Sequence, residues 1–201
     1  MKILVLGSRG FPNVQGGVEA CCENLYPSIA AHGHEVIVIS RSCYTGKKEY
    51  VYKGIRIIPF WAPKNMKLEA LVHTFLGTLA ALQFKPDIIH YHAIGPSFFV
   101  PLAKFFGFRV VATHHGFDYD RAKWGIFAKK FLQWSERHLC RAHAVISVAR
   151  YIQESLQKRF HTNSIVIVNG ALKKNILPFG EYCKRWNLEK KKYFLFTGRL
   201  V

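Results

Sequence analysis

Lys2-Ile3-Leu4-Val5-Leu6-Gly7-Ser8-Arg9-Gly10-Phe11-Pro12-Asn13-Val14-Gln15-Gly16-Gly17 stands directly after the first methionine. Residues 2–6 read as a strand: their apolar run ends at a glycine, the pattern of a strand buried on both faces of a parallel sheet. A loop of Gly, Ser, Pro and Asn follows, and helical spacing takes over at residue 18. Strand, glycine-rich loop and helix make the first half of a βα unit. In open sheets built from such units, ligands bind beyond the carboxyl ends of the strands.

The alternation continues outward. Residues 18–32 read as a helix with Leu25 and Ile29 on one side. Pro27 sits inside it as a bend or break, and Gly33 stops it. Residues 35–40 form a second strand, and 50–52 with 55–60 a hairpin turned at Lys53-Gly54. Helices are expected over 67–84, over 96–106 despite Pro101, over 121–141 and over 150–160. Strands are expected over 87–91, 109–113, 144–148 and 165–168. This order predicts an α/β fold: a doubly wound, Rossmann-like, mostly parallel sheet with helices on both faces. Tyr193-Phe194-Leu195-Phe196 reads as one more apolar strand, and Gly198-Arg199 as the turn after it. The expected organisation is a domain over 1–192 and the first strand of a second domain over 193–201, as in a larger protein cut near a domain boundary.

Composition bounds the function. The chain has 201 residues, enough for one large α/β domain. Its 29 Lys and Arg against 12 Asp and Glu leave a formal charge of +17, a field that favours anionic partners. No nucleic-acid motif accompanies the charge, so nucleic acid is not the expected partner. The five cysteines are odd in number and none are spaced Cys-x-x-Cys, which reads as reduced thiols in a cytoplasmic protein. The apolar start is too short for a secretory signal, and no segment reaches the roughly 20 apolar residues of a membrane span. The expected location is cytoplasmic, soluble or peripheral on the inner face of the membrane.

Three groups of residues carry candidate chemistry. Gly16 and Gly17 stand at a helix start, where bare backbone N–H groups and the helix dipole favour a phosphate. They do not form a G-x-G-x-x-G fingerprint, and an ordinary turn is the commoner explanation of such a pair. His90 and His92 share one face of a strand end, and His114 and His115 follow another. Four histidines there suit a metal hydrolase, or hydrogen-bonded core histidines, which is the commoner outcome. Asp118, Tyr119, Arg121, Lys123 and Trp124 mix charge with aromatics before a basic amphipathic helix. That segment suits a sugar or lipid phosphate, a solvated helix start, or an anionic membrane surface.

These residues together carry a resemblance. Gly16-Gly17-Val18-Glu19 resembles the opening motif of family 4 glycosyltransferases, whose two-domain architecture is the GT-B fold. Val111-Ala112-Thr113-His114-His115-Gly116 is similar to that family's T-x-H segment. Ile167-Val168-Asn169-Gly170 is similar to its P-N-G, with Val168 in place of the proline. Phe196-Thr197-Gly198-Arg199-Leu200-Val201 is similar to the G-R-L that opens its second domain. The Gly7–Pro12 opening and the run from Arg121 to Gly125 look closest to a bacterial surface-polysaccharide subgroup.

The resemblance implies a retaining sugar transfer from a nucleotide-sugar to a hydroxyl of a saccharide acceptor, which would be lipid-linked, with no cofactor and no essential metal. It implies that Gly16, Gly17 and Arg199 approach the donor diphosphate and that His115 lies beside the transferred sugar. Asp118, Tyr119, Arg121, Lys123 and Trp124 would face the acceptor. The family's second domain, with its lysine and its pair of glutamates, holds most of the donor site. The chain by itself is therefore expected to be inactive, with a partner-dependent docking subunit as the alternative.

Overall fold

The structure is a computed structural model that describes residues 1–65, 68–120, 124–170, 180–189, 192–194 and 196. The chain divides into two compact units, Met1–Gly170 and Ala171–Val201. In the second unit the described regular element is a short helix, Glu181–Arg185. Of the strand expected over 193–196, residues 193, 194 and 196 are described and form no strand, while 195 and the Gly198-Arg199 turn lie outside the described residues.

The first unit is built on an eight-stranded sheet in the order β3-β4-β2-β1-β5-β6-β7-β8. The strands are β1 (Lys2–Leu6), β2 (Glu35–Arg41), β3 (Tyr50–Tyr52), β4 (Ile55–Phe60), β5 (Ile88–His92), β6 (Arg109–His114), β7 (Ala144–Ser147) and β8 (Ile165–Val166). The helices are α1 (Gly17–Ala31), a single turn α2 (Ser42–Thr45), α3 (Glu69–Phe84), α4 (Val100–Phe105), α5 (Ile126–Leu139) and α6 (Arg150–Phe160). Every pairing is parallel except the β3–β4 hairpin. Lys53 and Gly54 turn that hairpin with φ of 48° and 79°. Two successive left-handed residues make the primed turn whose twist matches the strands it joins.

The doubly wound α/β reading holds. The chain builds outward from β1 on one side, then crosses back to β5 and proceeds to β8 on the other. The switch point lies between β1 and β5, paired through Leu4↔Ile89 and Leu6↔Tyr91. β1 is covered on both faces, because alternate residues enter different cores. Leu4 and Leu6 join the cluster with Ile37, Ile89 and Val110. Ile3 and Val5 join the one with Phe11, Tyr26 and Ile57.

Four expectations need correction. The buried stripe of α1 is Glu19, Cys22 and Tyr26, while Leu25 is exposed. Pro27 does not split the helix, which is continuous to Ala31. The proline removes one N–H, but docking of Cys22 and Tyr26 on the sheet holds the helix together across it. The long basic helix begins at Ile126 rather than near residue 121, because Gly125 is extended (φ −71°, ψ 169°). Residues 96–106 form a 3₁₀ turn, Pro96–Phe99, and then α4, with Pro101 in its first turn where a missing N–H costs nothing.

Candidate active site

At the switch point the loop after β1 leaves directly over the end of β5. Gly7 has φ +102°, and a Cβ built on it would sit 2.3 Å from the carbonyl oxygen of His92. Only glycine permits both that conformation and that approach. The strand ends gathered around this point carry the histidines. Strand alternation sends Tyr91 to one face, where its hydroxyl meets Thr78 Oγ1 at 2.7 Å. His90 and His92 go to the other face and meet Tyr26 of α1.

Tyr26 joins them into one chain. Its hydroxyl lies 2.9 Å from His90 Nδ1 and 2.5 Å from His92 Nε2. His90 Nε2 continues to Thr113 Oγ1 at 2.8 Å, and His92 Nδ1 to His115 Nε2 at 2.9 Å. Each neutral imidazole has one donor and one acceptor, and a hydroxyl has one donor, so only two proton arrangements satisfy every link. In one, His115 donates to His92, His92 to Tyr26, Tyr26 to His90 and His90 to Thr113. In the other every arrow reverses. The outer nitrogen of His115, Nδ1, is an acceptor in the first arrangement and a donor in the second.

The chain is neutral. Burial, then the neighbouring His115, lowers the His90 pKa to about 3. Burial, then His114, lowers that of His115 to about 4. His92 is also pushed well down, by burial first and then by His90 and His115. An enclosed imidazolium loses hydration that adjacent imidazoles do not replace. At neutral pH the site therefore offers a fixed, uncharged hydrogen-bonding ring in His115.

His114 points elsewhere. Its Nε2 donates to Glu136 Oε1 at 3.1 Å, and its Nδ1 accepts from the Gly116 N–H at 3.3 Å. Glu136 is fully buried, and its other oxygen is 2.8 Å from Arg159 Nη2. Both ring nitrogens of His90, His92 and His114 are thus engaged by protein partners. Among the described residues no three His, Cys, Asp or Glu side chains converge to hold a metal. The four-histidine hydrolase reading has no ligand set there.

Gly17 opens α1 with free space around it, while a Cβ on Gly16 would run into the Glu19 carboxylate. Glu19 folds back to accept the Arg9 N–H at 3.0 Å, tying the glycine loop to the helix start. Cys21 on the same helix donates its S–H to Asn169 Oδ1 at 3.2 Å, which brings the Val168-Asn169-Gly170 motif beside α1. Tyr119 is turned inward: it is buried, with its hydroxyl 3.3 Å from Glu136 Oε2 and accepting from Arg159 Nη1 at 2.8 Å. Asp118 lies in the same 3₁₀ turn, and Trp124 packs half-buried against the larger core. Arg121, Lys123 and Arg199 lie outside the described residues.

Sequence reasoning missed Tyr26, which carries no signal beyond its helical position. It also missed Glu136, a lone acid in a basic helix, and the buried Arg41–Glu69 pair at 2.8 Å. Beside that pair, His73 is fully buried.

Residues 15–171 match Glycosyltransferase Family 4, a span that begins at the glycine loop and ends just past Asn169-Gly170. The chain belongs to glycosyltransferase family 4. This family 4 chain also resembles solved structures, as follows. Against sucrose-phosphate synthase from Thermosynechococcus elongatus the TM-score is 0.73 at 17% identity, covering 94% of this chain and 53% of that one. Against a glycosyltransferase from Rickettsia africae it is 0.58 at 17%, covering 94% and 50%. Against Anabaena HepE, whose structure contains UDP, it is 0.56 at 17%, covering 85% and 44%. The fold is that of the N-terminal half of GT-B transferases, and the chain spans about half the length of these structures. No curated protein matches it significantly in sequence. No described helix is long and apolar enough to cross a membrane.

Proposed function

We propose that this family 4 chain is the acceptor-side half of a retaining glycosyltransferase. It would move a sugar from a nucleotide-sugar to a hydroxyl of a lipid-linked saccharide in cell-envelope polysaccharide synthesis, at the cytoplasmic face of an anionic membrane. The observation that carries this reading is His115. It is neutral, held at Nε2 by a buried chain, and has its Nδ1 left for a ligand at the sheet's switch point. A neutral ring there donates to or accepts from a sugar hydroxyl without adding charge beside a developing oxocarbenium.

The leaving diphosphate gains charge in the transition state. In this reading it is met by the N–H groups at Gly16 and Gly17 and by Arg199, where fixed donors stabilise that charge most. The acceptor enters from the side of Asp118, Tyr119, Arg121, Lys123 and Trp124. Tyr119 serves there through the packing of its ring, since its hydroxyl is already bound.

The test is release of nucleoside diphosphate by the whole enzyme, assayed with several nucleotide-sugars and a membrane-extracted acceptor. His115→Ala is expected to lower turnover about 100-fold or more, the scale of losing one fixed transition-state contact. Turnover within threefold of wild type would remove His115 from the site. Residues 1–201 alone are expected to give none, and measurable transfer by them would contradict the division of the donor site between two domains.

A further inference from the structure

α5 presents two unlike faces. Leu132, Ser135, Glu136, His138 and Leu139 are buried. Lys130, Gln133, Trp134 and Arg137 line an open cleft of about 510 Å³, closed on its other side by Arg159 and Phe160 from the last turn of α6. Residues 130, 134 and 137 fall on one helical stripe by their spacing. The cleft shares no lining residue with the histidine chain or the glycine loop.

The lining is unbalanced in charge. It contains no acid. Arg159 is neutralised by Glu136 and occupied by Tyr119. Lys130 and Arg137 have no hydrogen bond or ion pair with any described residue. Trp134 is half-exposed, but its ring is held by Phe98 and His138, each with a centroid 5.1 Å away. Phe160 lies under the Arg159 guanidinium at 4.7 Å. The result is two uncompensated cations, one amide and two fixed aromatic walls around a single cavity. Lysine offers a point charge and arginine a planar fork, the pair of donors that suits phosphate oxygens. The aromatic walls suit an apolar body attached to it.

We propose that the α5–α6 cleft is a second ligand site, which binds a phosphate monoester or diphosphate carried on an apolar or aromatic body. This inference does not depend on the transferase reading. Two probes separate its sources: calorimetric titration of the whole protein with inorganic pyrophosphate, and co-sedimentation with phosphatidylcholine vesicles with and without phosphatidic acid. Saturable binding of at least one phosphate probe is expected. It should weaken about tenfold or more in Lys130→Ala/Arg137→Ala, the scale of losing two charge-assisted contacts. The control Lys47→Ala/Lys48→Ala removes the same charge from an exposed loop and should leave binding within twofold. Pyrophosphate alone identifies a soluble phosphate ligand, and phosphatidic acid vesicles alone identify a lipid headgroup; either supports the site. No saturable binding of either probe, or equal weakening by the two double variants, would overturn it and leave only the general field of a basic protein.

Discussion

Tyr26 is one hydroxyl shared by two buried imidazoles, and the whole histidine chain passes through it. Tyr26→Phe keeps the ring and deletes that link. His90 Nδ1 and His92 Nε2 are then left unpaired in a buried site, a cost of about 1–3 kcal/mol. The second effect is on the ring that faces the ligand. With the chain cut, His115 and His92 no longer share their proton order with His90 and Thr113. The tautomer of His115 becomes a local matter between two rings. The expected outcome is a change in the His115 tautomer ratio, read from its ring ¹⁵N shifts, with a loss of turnover larger than any change in KM. Unchanged ring shifts would show that the chain does not order His115. Glu136 is the corresponding residue on the other side. It serves His114, Tyr119 and Arg159 while fully buried. Glu136→Ala strands all three, and breaking a buried ionic network of this kind costs about 3–5 kcal/mol. An unfolding free energy from urea titration lowered by less than about 1 kcal/mol would mean Arg159 and His114 find other partners.

The β1–β5 seam shows what an element pair demands of one residue. Gly7 has no room for a side chain, because the obstructing atom is the backbone carbonyl of His92. A flexible side chain would move aside, but a strand carbonyl in a parallel ladder cannot. Gly7→Ala is therefore expected to cost more than the roughly 1–3 kcal/mol of ordinary overpacking. It should also raise the exchange rates of amides along β1 and β5 relative to those of β7. Uniform exchange changes across the sheet would point to general destabilisation rather than a split seam. This element pair also marks what was legible in the sequence. Buried parallel strands announce themselves by apolar runs between glycine and proline, and the hairpin by Lys53-Gly54, so the sheet was readable. The buried face of α1 was not. Glu19, Cys22 and Tyr26 are poor hydrophobic markers beside Leu25: Glu19 and Tyr26 are buried as hydrogen-bonding partners of the loop and the histidines, and Cys22 packs in the smaller core. The early start expected for the basic helix fails for a similar reason. Charge and spacing continue through residue 124, but the backbone turns at Gly125. His90, His92, His114 and His115 were visible as a group. Their division into a chain with Tyr26 and a hydrogen bond from His114 to Glu136 depends on which face of β5 and β6 each one takes.

At the scale of the molecule, burial of uncharged histidines couples folding to pH. His73 joins His90 and His92 in this, its pKa lowered to about 4 by burial first and then by Arg41. A histidine in the unfolded chain takes up its proton near pH 6.5. In the folded state these three refuse it until far lower pH, so the unfolded chain binds more protons throughout the interval. Stability therefore rises with pH across that window. It is fully present above about pH 6.5 and falls as the solution is acidified towards pH 4. His115, its pKa lowered to about 4, is a fourth such site. Each histidine contributes a slope of about 1.4 kcal/mol per pH unit below about pH 6.5, so between about pH 7 and 5 the four together remove roughly 8 kcal/mol. That is comparable with the whole stability of an ordinary domain, about 5–15 kcal/mol. Protonation also adds to a charge already at +17, so self-repulsion acts in the same direction. The protein should accordingly lose stability steeply as the pH falls from about 6.5, before most carboxylates begin to titrate. Urea midpoints taken at intervals from pH 7.5 to 5 measure the slope directly. His73→Leu, which touches neither the histidine chain nor the glycine loop, should reduce that slope by about one quarter, since it removes one of four protonation sites. A stability that stays flat down to pH 5 would mean that the buried rings gain their protons in the folded state and that the neutral chain at the strand ends is not maintained; an unaltered slope in His73→Leu would mean that His73 alone takes up its proton in the folded state.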